Sequence, residues 1–341
     1  MRFVINPDNK EAIYRQLVLQ VDQALHSGKL KAGEQIPSMN ELAAQLAISR
    51  ETVKKAYGIL VKKGLIHPKQ GKGFYTADVN ASTHPRVLVL FDKFSVYKQI
   101  LFNAFAERLA DAAEITILNH NQSIDLLEHY LDDNLDNFDY YILAPHFPLD
   151  AGTQKRVVRQ LSRIPYRKLI MLDRLQPDFP GQYGAVYQDF ENDIYDGLSE
   201  GTQPAFPARR LRVLTLPMSL YGTHIIKGVN RFVSEHHVPA EYMTTVPNSI
   251  EKGDIFLVLN SQLDDGLVAL TRRIQEAGLE IGRDVFIISY NESDMNELVL
   301  GGLTTVSTDF REMGHLAADM ILSRRMEKVH CPFHMHRRHT F

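Results

Sequence analysis

Beyond residue 86, short apolar runs alternate with segments of helical periodicity, and this alternation most narrows the folds that the chain can adopt. The predicted strands are residues 87–91, 115–118, 140–143, 168–172, 211–216, 242–246, 255–259, 285–289 and 304–306. Helical patterns lie between most of them, at residues 97–112, 124–135, 152–161, 190–200, 223–236, 263–277 and 311–325. Strands that alternate with helices form parallel sheets covered on both faces. More than 250 residues of this pattern predict an α/β domain of two lobes, each built on a parallel sheet.

The first 76 residues follow a different order. An apolar residue recurs every fourth position over residues 13–25, which predicts a helix. Ser38, followed three residues later by Glu41, forms a capping box that begins a second helix, and Ser49 is placed to cap a third. Apolar pairs on either side of the Gly-rich basic segment 67–73 predict a β-hairpin. Helix, short helix, turn, helix and hairpin is the order of a winged helix-turn-helix.

Between these two patterns, residues 77–85 are small and polar and have no periodicity, which indicates a linker. The fold class is therefore α/β overall, with a winged helix-turn-helix domain at residues 1–76 and a two-lobed α/β domain at residues 86–341. The N-terminus has no apolar stretch of signal-peptide length, and no run approaches the roughly 18 apolar residues of a spanning helix. A single cysteine, Cys331, excludes an intramolecular disulfide and fits a reducing compartment. We expect a cytoplasmic protein without a membrane partner.

Net charge differs between the two parts of the chain. The whole sequence has 38 Lys and Arg against 41 Asp and Glu, a net charge of −3 that argues against a nucleic-acid partner. Residues 1–76, however, hold 12 bases and six acids, a net charge of +6, which leaves −9 on the remainder. A basic module on an acidic body indicates an anionic partner for the basic end. The alternative is a solvated, Lys-rich helix face.

The predicted helix-turn-helix gives the basic end a specific use, because the N-terminal end of a helix can enter the major groove of DNA and present side chains to base edges. The wing is expected to approach the backbone or the minor groove, and capped helix starts offer main-chain N–H groups to phosphates. The residues predicted to contact DNA are Ser38, Asn40, Ser49, Arg50, Glu51, Thr52, Lys54, Lys69, Gly71, Lys72 and Gly73.

About 65 residues of this region resemble the GntR family of bacterial transcription factors. The resemblance is carried by IYRQL at 13–17, GKLKAGEQIPS at 28–38, ELA at 41–43, SRETV at 49–53, KGLI at 63–66 and GKGFY at 71–75. It implies that Arg50 reads bases and that the wing glycines approach DNA. Asn40 and Lys54 stand where the family often has arginine. Lysine lacks the bidentate fork that suits guanine, so the resemblance implies the mode of DNA binding and not the operator sequence.

In the larger domain, polar and aromatic side chains follow the predicted strands, at the end where parallel sheets bind their ligands. These residues are Asp92, Phe94, Asp173, Arg174, Tyr221, His224, Asn260 and Asn291. Asp and Asn bridge vicinal hydroxyls, Arg donates hydrogen bonds, and an aromatic face covers apolar sugar carbons. The alternative is that the Asp and Asn residues cap the following helices. As a set, they favour a cleft for a small polyhydroxylated ligand.

This domain resembles the effector-binding domain of LacI-type regulators, which is similar to periplasmic sugar-binding proteins. The resemblance is carried by FDYYIL at 138–143, LDR at 172–174, VYQD at 186–189, IGRDVFIISYN at 281–291, LTTV at 303–306 and the Met-Gly and Ala-Ala pairs at 313–318. It implies hydrogen bonds from Asp173, Asn260 and Asn291 to the effector, with the loop at 92–97 and Thr308 lining the site. Ile225 stands where the family usually has arginine. Either Tyr221 or His224 takes over that role, or the ligand differs from common sugars.

A GntR-type reader joined to a LacI-type sensor is similar to the arabinose-responsive repressors. We therefore expect a homodimeric transcriptional regulator that binds an inverted-repeat DNA operator and is released by a small effector, most simply a sugar, bound between the lobes. Activation instead of repression stays open, as do a sugar-binding protein without a DNA function and a sugar-acting enzyme with an accessory DNA-binding module. The sequence offers no recognisable catalytic or cofactor motif. Four C-terminal histidines beside Cys331 have the chemistry of a zinc site, but alternation over residues 331–336 favours an edge strand.

Overall fold

The computed structural model describes residues 3–7, 11–26, 29–69, 71–77, 84–135, 137–201, 210–215, 220–259 and 265–341. The chain divides into two compact units, Met1–Pro85 and Arg86–Phe341. Most of the predicted linker, together with Asn260, lies outside the described residues. No helix in the described part of the chain is long and apolar enough to cross a membrane.

The first unit contains the predicted winged helix-turn-helix. Its elements are α1 (Ile13–His26), β1 (Gln35–Ile36), α2 (Met39–Leu46), α3 (Arg50–Lys62), β2 (Ile66–Lys69) and β3 (Gly73–Thr76). The strands form an antiparallel sheet in the order β1-β3-β2. The predicted apolar stripe of α1 packs against the inner faces of α2 and α3, and its members Leu17 and Val21 are fully buried. The two-residue strand β1 was not predicted, because it is too short for a periodicity and exists only by pairing with β3.

Local signals placed the helix starts correctly. The Ser38 hydroxyl accepts a hydrogen bond from the Glu41 amide, and the Glu41 carboxylate accepts one from the Ser38 amide at 2.8 Å, which completes the predicted capping box of α2. Ser49 caps α3 by accepting from the Thr52 amide at 3.1 Å. Gly64 follows α3 with φ of +66°, a conformation that favours glycine and ends the helix.

The second unit has two lobes. The strands of the first lobe are β4 (Arg86–Phe91), β5 (Glu114–Asn119), β6 (Tyr140–Leu143), β7 (Leu169–Asp173), β8 (Gly184–Tyr187) and β14 (Lys328–His330). They form a parallel sheet in the order β14-β8-β7-β6-β4-β5. Its helices are α4 (Val96–Leu109), α5 (Ile124–Asn134), α6 (Ala151–Leu161) and α10 (Phe310–Ser323). Strand β4 is buried on both faces: Val87 and Val89 belong to one apolar cluster, and Leu88 and Leu90 to another.

The second lobe is built in the same way. Its strands are β9 (Arg210–Leu214), β10 (Ala240–Met243), β11 (Asp254–Val258), β12 (Phe286–Tyr290), β13 (Thr304–Thr308) and β15 (Phe333–His336), and its helices are α7 (Phe190–Gly201), α8 (Gly222–Glu235) and α9 (Asp265–Glu276). The sheet order is β10-β9-β11-β12-β13-β15, and all pairs are parallel except β13 with β15. The predicted C-terminal edge strand is therefore confirmed as β15. The two-lobed α/β architecture with parallel sheets is also confirmed.

Three segments differ from the prediction. No strand was predicted at Gly184–Tyr187, which forms β8, or at Lys328–His330, which forms β14, whereas α7 begins at Phe190, as the helical pattern over 190–200 predicted. Glycine at 184 conceals the strand pattern, yet it is required by packing, because a Cβ there would lie 2.9 Å from the Met320 sulfur of α10. The strand expected at 242–246 lies earlier, at Ala240–Met243, where it pairs with β9.

The described part of the chain passes between the lobes at three places. The first crossover (residues 188–189) joins β8 to α7, the second crossover (residue 309) joins β13 to α10, and the third crossover (residues 331–332) joins β14 to β15. The Cys331 amide donates to the Tyr187 carbonyl at 2.8 Å, and the Asp309 amide donates to the Pro332 carbonyl at 2.9 Å. Main-chain hydrogen bonds therefore tie the third crossover to both of the others.

Candidate functional site

The side chains predicted to contact DNA lie on α2, α3 and the hairpin of the first unit. Asn40, Ser49, Arg50, Glu51 and Lys54 are exposed. Lys69, Gly71 and Lys72 are exposed on the hairpin, and Ser38, Thr52 and Gly73 are partly exposed. The fold thus leaves most of the predicted set open to solvent on structured elements.

The charged groups of this surface are only loosely paired. In the part of the chain that the structure describes, the Arg50 side chain has no hydrogen bond or ion pair. Lys54 lies 3.4 Å from the Glu51 carboxylate, in an exposed pair of the kind that contributes little to stability. The hydroxyls of Ser38 and Ser49 cap their own helices. The Arg50 guanidinium is therefore free of protein partners in the described residues, whereas the hydroxyls of Ser38 and Ser49 are occupied by the first turns of α2 and α3.

The wing has the backbone of a tight turn. Gly71 and Gly73 have φ of +72° and +92°, which a residue with a Cβ adopts at a cost. The Gln35 side chain donates to the Lys72 carbonyl at 2.8 Å and fixes the turn. The Lys69 ammonium lies 4.3 Å from the centroid of the Tyr75 ring. The turn thereby presents the exposed Lys72 side chain from a defined backbone.

In the second unit, a buried cluster surrounds Asp173, the last residue of β7. Lys98 of α4 forms an ion pair with the Asp173 carboxylate, and the His146 Nε2 atom lies 2.6 Å from the same carboxylate oxygen. Gln188 donates its side-chain amide to the other oxygen. Burial alone would raise the pKa of the Asp173 carboxyl, but the charges and hydrogen bonds of Lys98 and His146 outweigh it and hold that pKa well below its usual range.

Two acceptor atoms close to this cluster are buried and unsatisfied. Asp92 follows β4, and its Oδ1 atom has no hydrogen-bond partner among the described residues, while the Lys98 ammonium is 4.0 Å away. Asn291 follows β12, and its Oδ1 atom is in the same condition. Asn291 has φ of +72° and Asp173 has φ of +74°. Asp and Asn adopt this left-handed backbone more often than most residues, and the two buried acceptors are available to a ligand that donates hydrogen bonds.

Tyr221 of the second lobe reaches the charged edge of the first. Arg174 donates to the Tyr221 hydroxyl at 3.2 Å, and its guanidinium lies 4.8 Å from the ring centroid. The His146 ring packs edge-on against Tyr221 at 5.1 Å, and the Phe190 ring stacks on it at 4.8 Å. Burial raises the pKa of the Tyr221 hydroxyl to about 12. A neutral, amphipathic side chain therefore bridges the two lobes beside Asp173.

A cavity of about 360 Å³ lies between the lobes, and Asp92, Asp173, Arg174 and Tyr221 are not among its lining residues. The first lobe contributes its lining from residues 94–97, and the second lobe contributes mainly from residues 289–303. Phe94 and Asn291 lie in its wall. The volume falls in the range of small-molecule sites, and both lobes form the wall, so a bound molecule would contact both lobes at once.

The predicted effector-binding residues are distributed unevenly. Asp173, Arg174 and Tyr221 lie in the buried cluster with Asp92 next to it, and Thr308 joins it through Gln188. His224, in the first turn of α8, is exposed and has no side-chain contact with the cluster among the described residues. Asn260 lies outside the described residues. Three cluster members were missed by the sequence reasoning: Lys98, His146 and Gln188. Only His146 gave a signal, because it follows a predicted strand.

His120 is a fourth buried polar residue that was not predicted. It follows β5, its Nε2 atom lies 3.1 Å from the Ala144 carbonyl oxygen, and its ring stacks on Phe147 at 4.3 Å. Its Nδ1 atom has no partner among the described residues. Burial lowers the pKa of the His120 imidazole to about 4, so the ring is neutral at physiological pH.

The C-terminal histidines form an ion pair or lie on an exposed strand face. His330 Nε2 lies 2.6 Å from a carboxylate oxygen of Asp193, and His334 and His336 lie on the exposed side of β15. The Cys331 thiol is buried, and burial raises its pKa, which disfavours a thiolate. Within the described ranges, no group of three or more His, Cys, Asp or Glu side chains is arranged to hold a metal ion.

Sequence comparison identifies the two domain types. Residues 13–76 match the family described as bacterial regulatory proteins, gntR family, and residues 221–340 match the periplasmic binding protein-like domain. The first match spans α1 to β3, and the second spans most of the second lobe together with α10 and β14.

Individual relatives are transcriptional repressors. The chain is 35% identical over 79 residues to the HTH-type transcriptional repressor YtrA of Bacillus subtilis, a match that covers 23% of this chain and 60% of the relative. It is 22% identical over 93% of both chains to the arabinose metabolism transcriptional repressor of Geobacillus stearothermophilus. Among solved structures, the lac repressor dimer bound to operator and the anti-inducer ONPF superposes with a TM-score of 0.59 at 15% identity, covering 96% of this chain and 97% of that chain.

Proposed function

We propose that this chain, a DNA-binding transcriptional regulator in which a gntR-family domain is joined to a periplasmic-binding-protein-like domain, is a repressor released from its operator by a small polyhydroxylated effector. The observation that carries the proposal is the interlobe cavity, whose wall includes Asn291 with a buried side-chain oxygen that lacks a donor among the described residues. A second such atom, Asp92 Oδ1, follows β4 beside Lys98. A buried acceptor without a partner costs free energy, and a ligand that supplies the donor recovers it.

The DNA-binding part of the proposal rests on the exposed surface of α3 and the wing. Arg50 is exposed at the first position of α3, where a recognition helix meets base edges. Lys54, Lys69 and Lys72 add positive charge on the same domain. We assign base contacts to Arg50 and backbone contacts mainly to the lysines of the wing.

The effector part distinguishes a neutral sugar from a sugar phosphate. Asp92 and Asp173 both lie at this edge, and Lys98 is already paired with Asp173. A phosphate dianion offers acceptors only and would meet these carboxylates, whereas hydroxyls donate to the bare oxygens and accept from Arg174. We therefore assign the site to a neutral polyol or monosaccharide. The relative concerned with arabinose metabolism makes L-arabinose the first compound to test.

The proposed response is closure of the lobes on the effector. A molecule held by residues of both lobes binds most strongly when the lobes approach, and closure changes the relative placement of DNA-binding domains in a homodimer. Effector and operator then oppose each other with a reciprocal coupling of typically about 1–3 kcal/mol. We place this regulator in the cytoplasm, where operator and effector meet.

A thermal-shift screen of the full chain tests the effector class. L-Arabinose, other monosaccharides and their phosphates are added at matched concentrations, and a ligand that binds the folded state raises the midpoint by mass action. We expect a neutral monosaccharide to raise the midpoint more than its phosphate does, and expect Asn291→Ala to weaken the shift. A larger shift with the phosphate would contradict the assignment to a neutral ligand.

A further inference from the structure

The three crossovers are held together by two kinds of hydrogen bond. Main-chain bonds tie the third crossover to the first, through Cys331 and Tyr187, and to the second, through Asp309 and Pro332. Between the first crossover and the end of β13, the described residues supply a side-chain bond instead: the Thr308 hydroxyl donates to the Gln188 side-chain oxygen at 2.6 Å. This bond depends on two side chains and so is open to substitution.

Gln188 also holds the wall of the proposed effector site. Its side-chain amide donates to the Asp173 carboxylate, and its main-chain amide donates to the Asp173 carbonyl at 3.1 Å. Both atoms of the buried Gln188 side-chain amide are therefore used: the nitrogen donates to Asp173, and the oxygen accepts from Thr308. Glutamate could not donate to Asp173, and an apolar side chain could do neither.

We propose that Gln188 is a positioning residue that couples the Asp173 wall to the hinge formed by the three crossovers. An effector hydroxyl that competes for the Asp173 carboxylate would release the Gln188 side-chain amide. The hydrogen bond from the Thr308 hydroxyl to the Gln188 side-chain oxygen would then weaken or break. The inference rests on the proposed function only in taking Asp173 as part of the effector site. The coupling itself is a property of the ligand-free protein.

Hydrogen exchange of the ligand-free full chain tests this coupling at two reporter amides. The Gln188 amide reports on contact with the Asp173 wall, and the Cys331 amide reports on the bond between the third and first crossovers. The test variant is Thr308→Val, which removes the hydroxyl and nearly preserves the side-chain shape. The matched control is Thr308→Ser, which keeps the hydroxyl.

We expect Thr308→Val to speed exchange about three- to ten-fold at both reporters, neither of which lies on β13, and expect Thr308→Ser to restore the slow exchange. Gln188→Met should have the same effect, and adding Thr308→Val to it should bring little further change. Peptides from β4, in the core of the same unit, provide an internal reference for its global unfolding. If Gln188→Met does not fold, the comparison of valine with serine carries the test alone.

Faster exchange that is confined to β13, or that is equal with serine and with valine, would overturn the role of Gln188. Additive effects of Gln188→Met and Thr308→Val would overturn it as well. None of these measurements contains an effector. A negative result therefore leaves the effector assignment unaffected, and failure of the thermal-shift screen leaves the coupling result unaffected.

Discussion

The surface predicted to contact DNA and the buried cluster around Asp173 both contain charged side chains. These side chains are exposed in the first region and buried in the second. Arg50 is exposed and unpaired among the described residues, and its neighbours Glu51 and Lys54 form a loose, solvated pair. Asp173 and Lys98 are both buried, and two further side chains satisfy the Asp173 carboxylate. Exposed charge costs little to leave unpaired and is free to meet DNA. Buried charge must be paired before any ligand arrives, so the cluster contributes to the stability of the ligand-free protein.

The largest expected effect is on the buried side of this comparison. Asp173→Ala leaves the Lys98 ammonium buried without its carboxylate, and we expect a loss of about 3–5 kcal/mol in the free energy of unfolding of the second unit. Urea unfolding followed by a probe in that unit measures it. The double variant Asp173→Leu with Lys98→Met should lose less than the two single variants together. Strict additivity would mean that the pair does not interact as the geometry indicates.

Acid should weaken the same cluster. The Asp173 carboxyl binds its proton less readily in the folded protein than in the unfolded chain, because its folded pKa is lowered. Its contribution to stability is therefore complete above the unfolded pKa of about 4 and is lost as the pH falls through the lower, folded pKa. Unfolding midpoints measured between pH 7 and pH 3 should fall less steeply for Asp173→Asn than for the wild type. Parallel curves would contradict this account.

On the exposed side, Arg50→Ala should leave stability nearly unchanged and weaken specific DNA binding. We expect a loss of about ten- to a hundred-fold in affinity, as for removal of one base-reading arginine. Fluorescence anisotropy with duplexes selected by the wild type from random DNA measures it, at fixed salt concentration. Lys62→Ala, at the other end of α3, is the control. Equal losses for both variants would indicate an electrostatic contribution without base reading.

The smallest expected effect is that of Glu51→Gln, which breaks the pair with Lys54. Because both side chains are mostly exposed, we expect less than about 0.5 kcal/mol change in the stability of the first unit. Thermal unfolding of the full chain, with a probe in that unit, is sufficient to detect a larger value. A change above about 1 kcal/mol would show that the exposed pair contributes to the free energy of unfolding on a scale closer to that of the buried pair.

The two regions also differ in how much of their structure could be predicted from the sequence. The helix starts of the first unit could be predicted in detail because their determinants are local: Ser38 contacts Glu41, and Ser49 contacts Thr52, within single helical turns. Strand and helix order in the second unit was also predictable from periodicity. The strands that were not predicted are β8 and β14 in the second unit and β1 in the first, and all three are short.

The cluster could be predicted only in part, because its members come from distant segments. Asp173 and Arg174 were found from their position after a strand, but Lys98 lies 75 residues from its partner in a helix whose sequence gives no sign that a lysine turns inward. Gln188 was overlooked because no strand was predicted immediately before it, where β8 lies. Tyr221 and His224 are close in sequence, yet Tyr221 is buried and His224 is exposed. Contacts made by tertiary packing leave no local pattern.

The unsatisfied oxygens of Asp92 and Asn291 have a consequence for chemical selectivity. A site with unsatisfied acceptors discriminates against a ligand that lacks a hydroxyl group. A deoxy compound that fills the cavity equally well would leave the same oxygens buried without a hydrogen bond. Sites of this kind reject the analogue without the hydroxyl by as much as about four orders of magnitude, far more than an apolar pocket discriminates by size. Epimers and deoxy sugars of equal volume should therefore be sorted by the positions of their hydroxyl groups, with little dependence on their bulk.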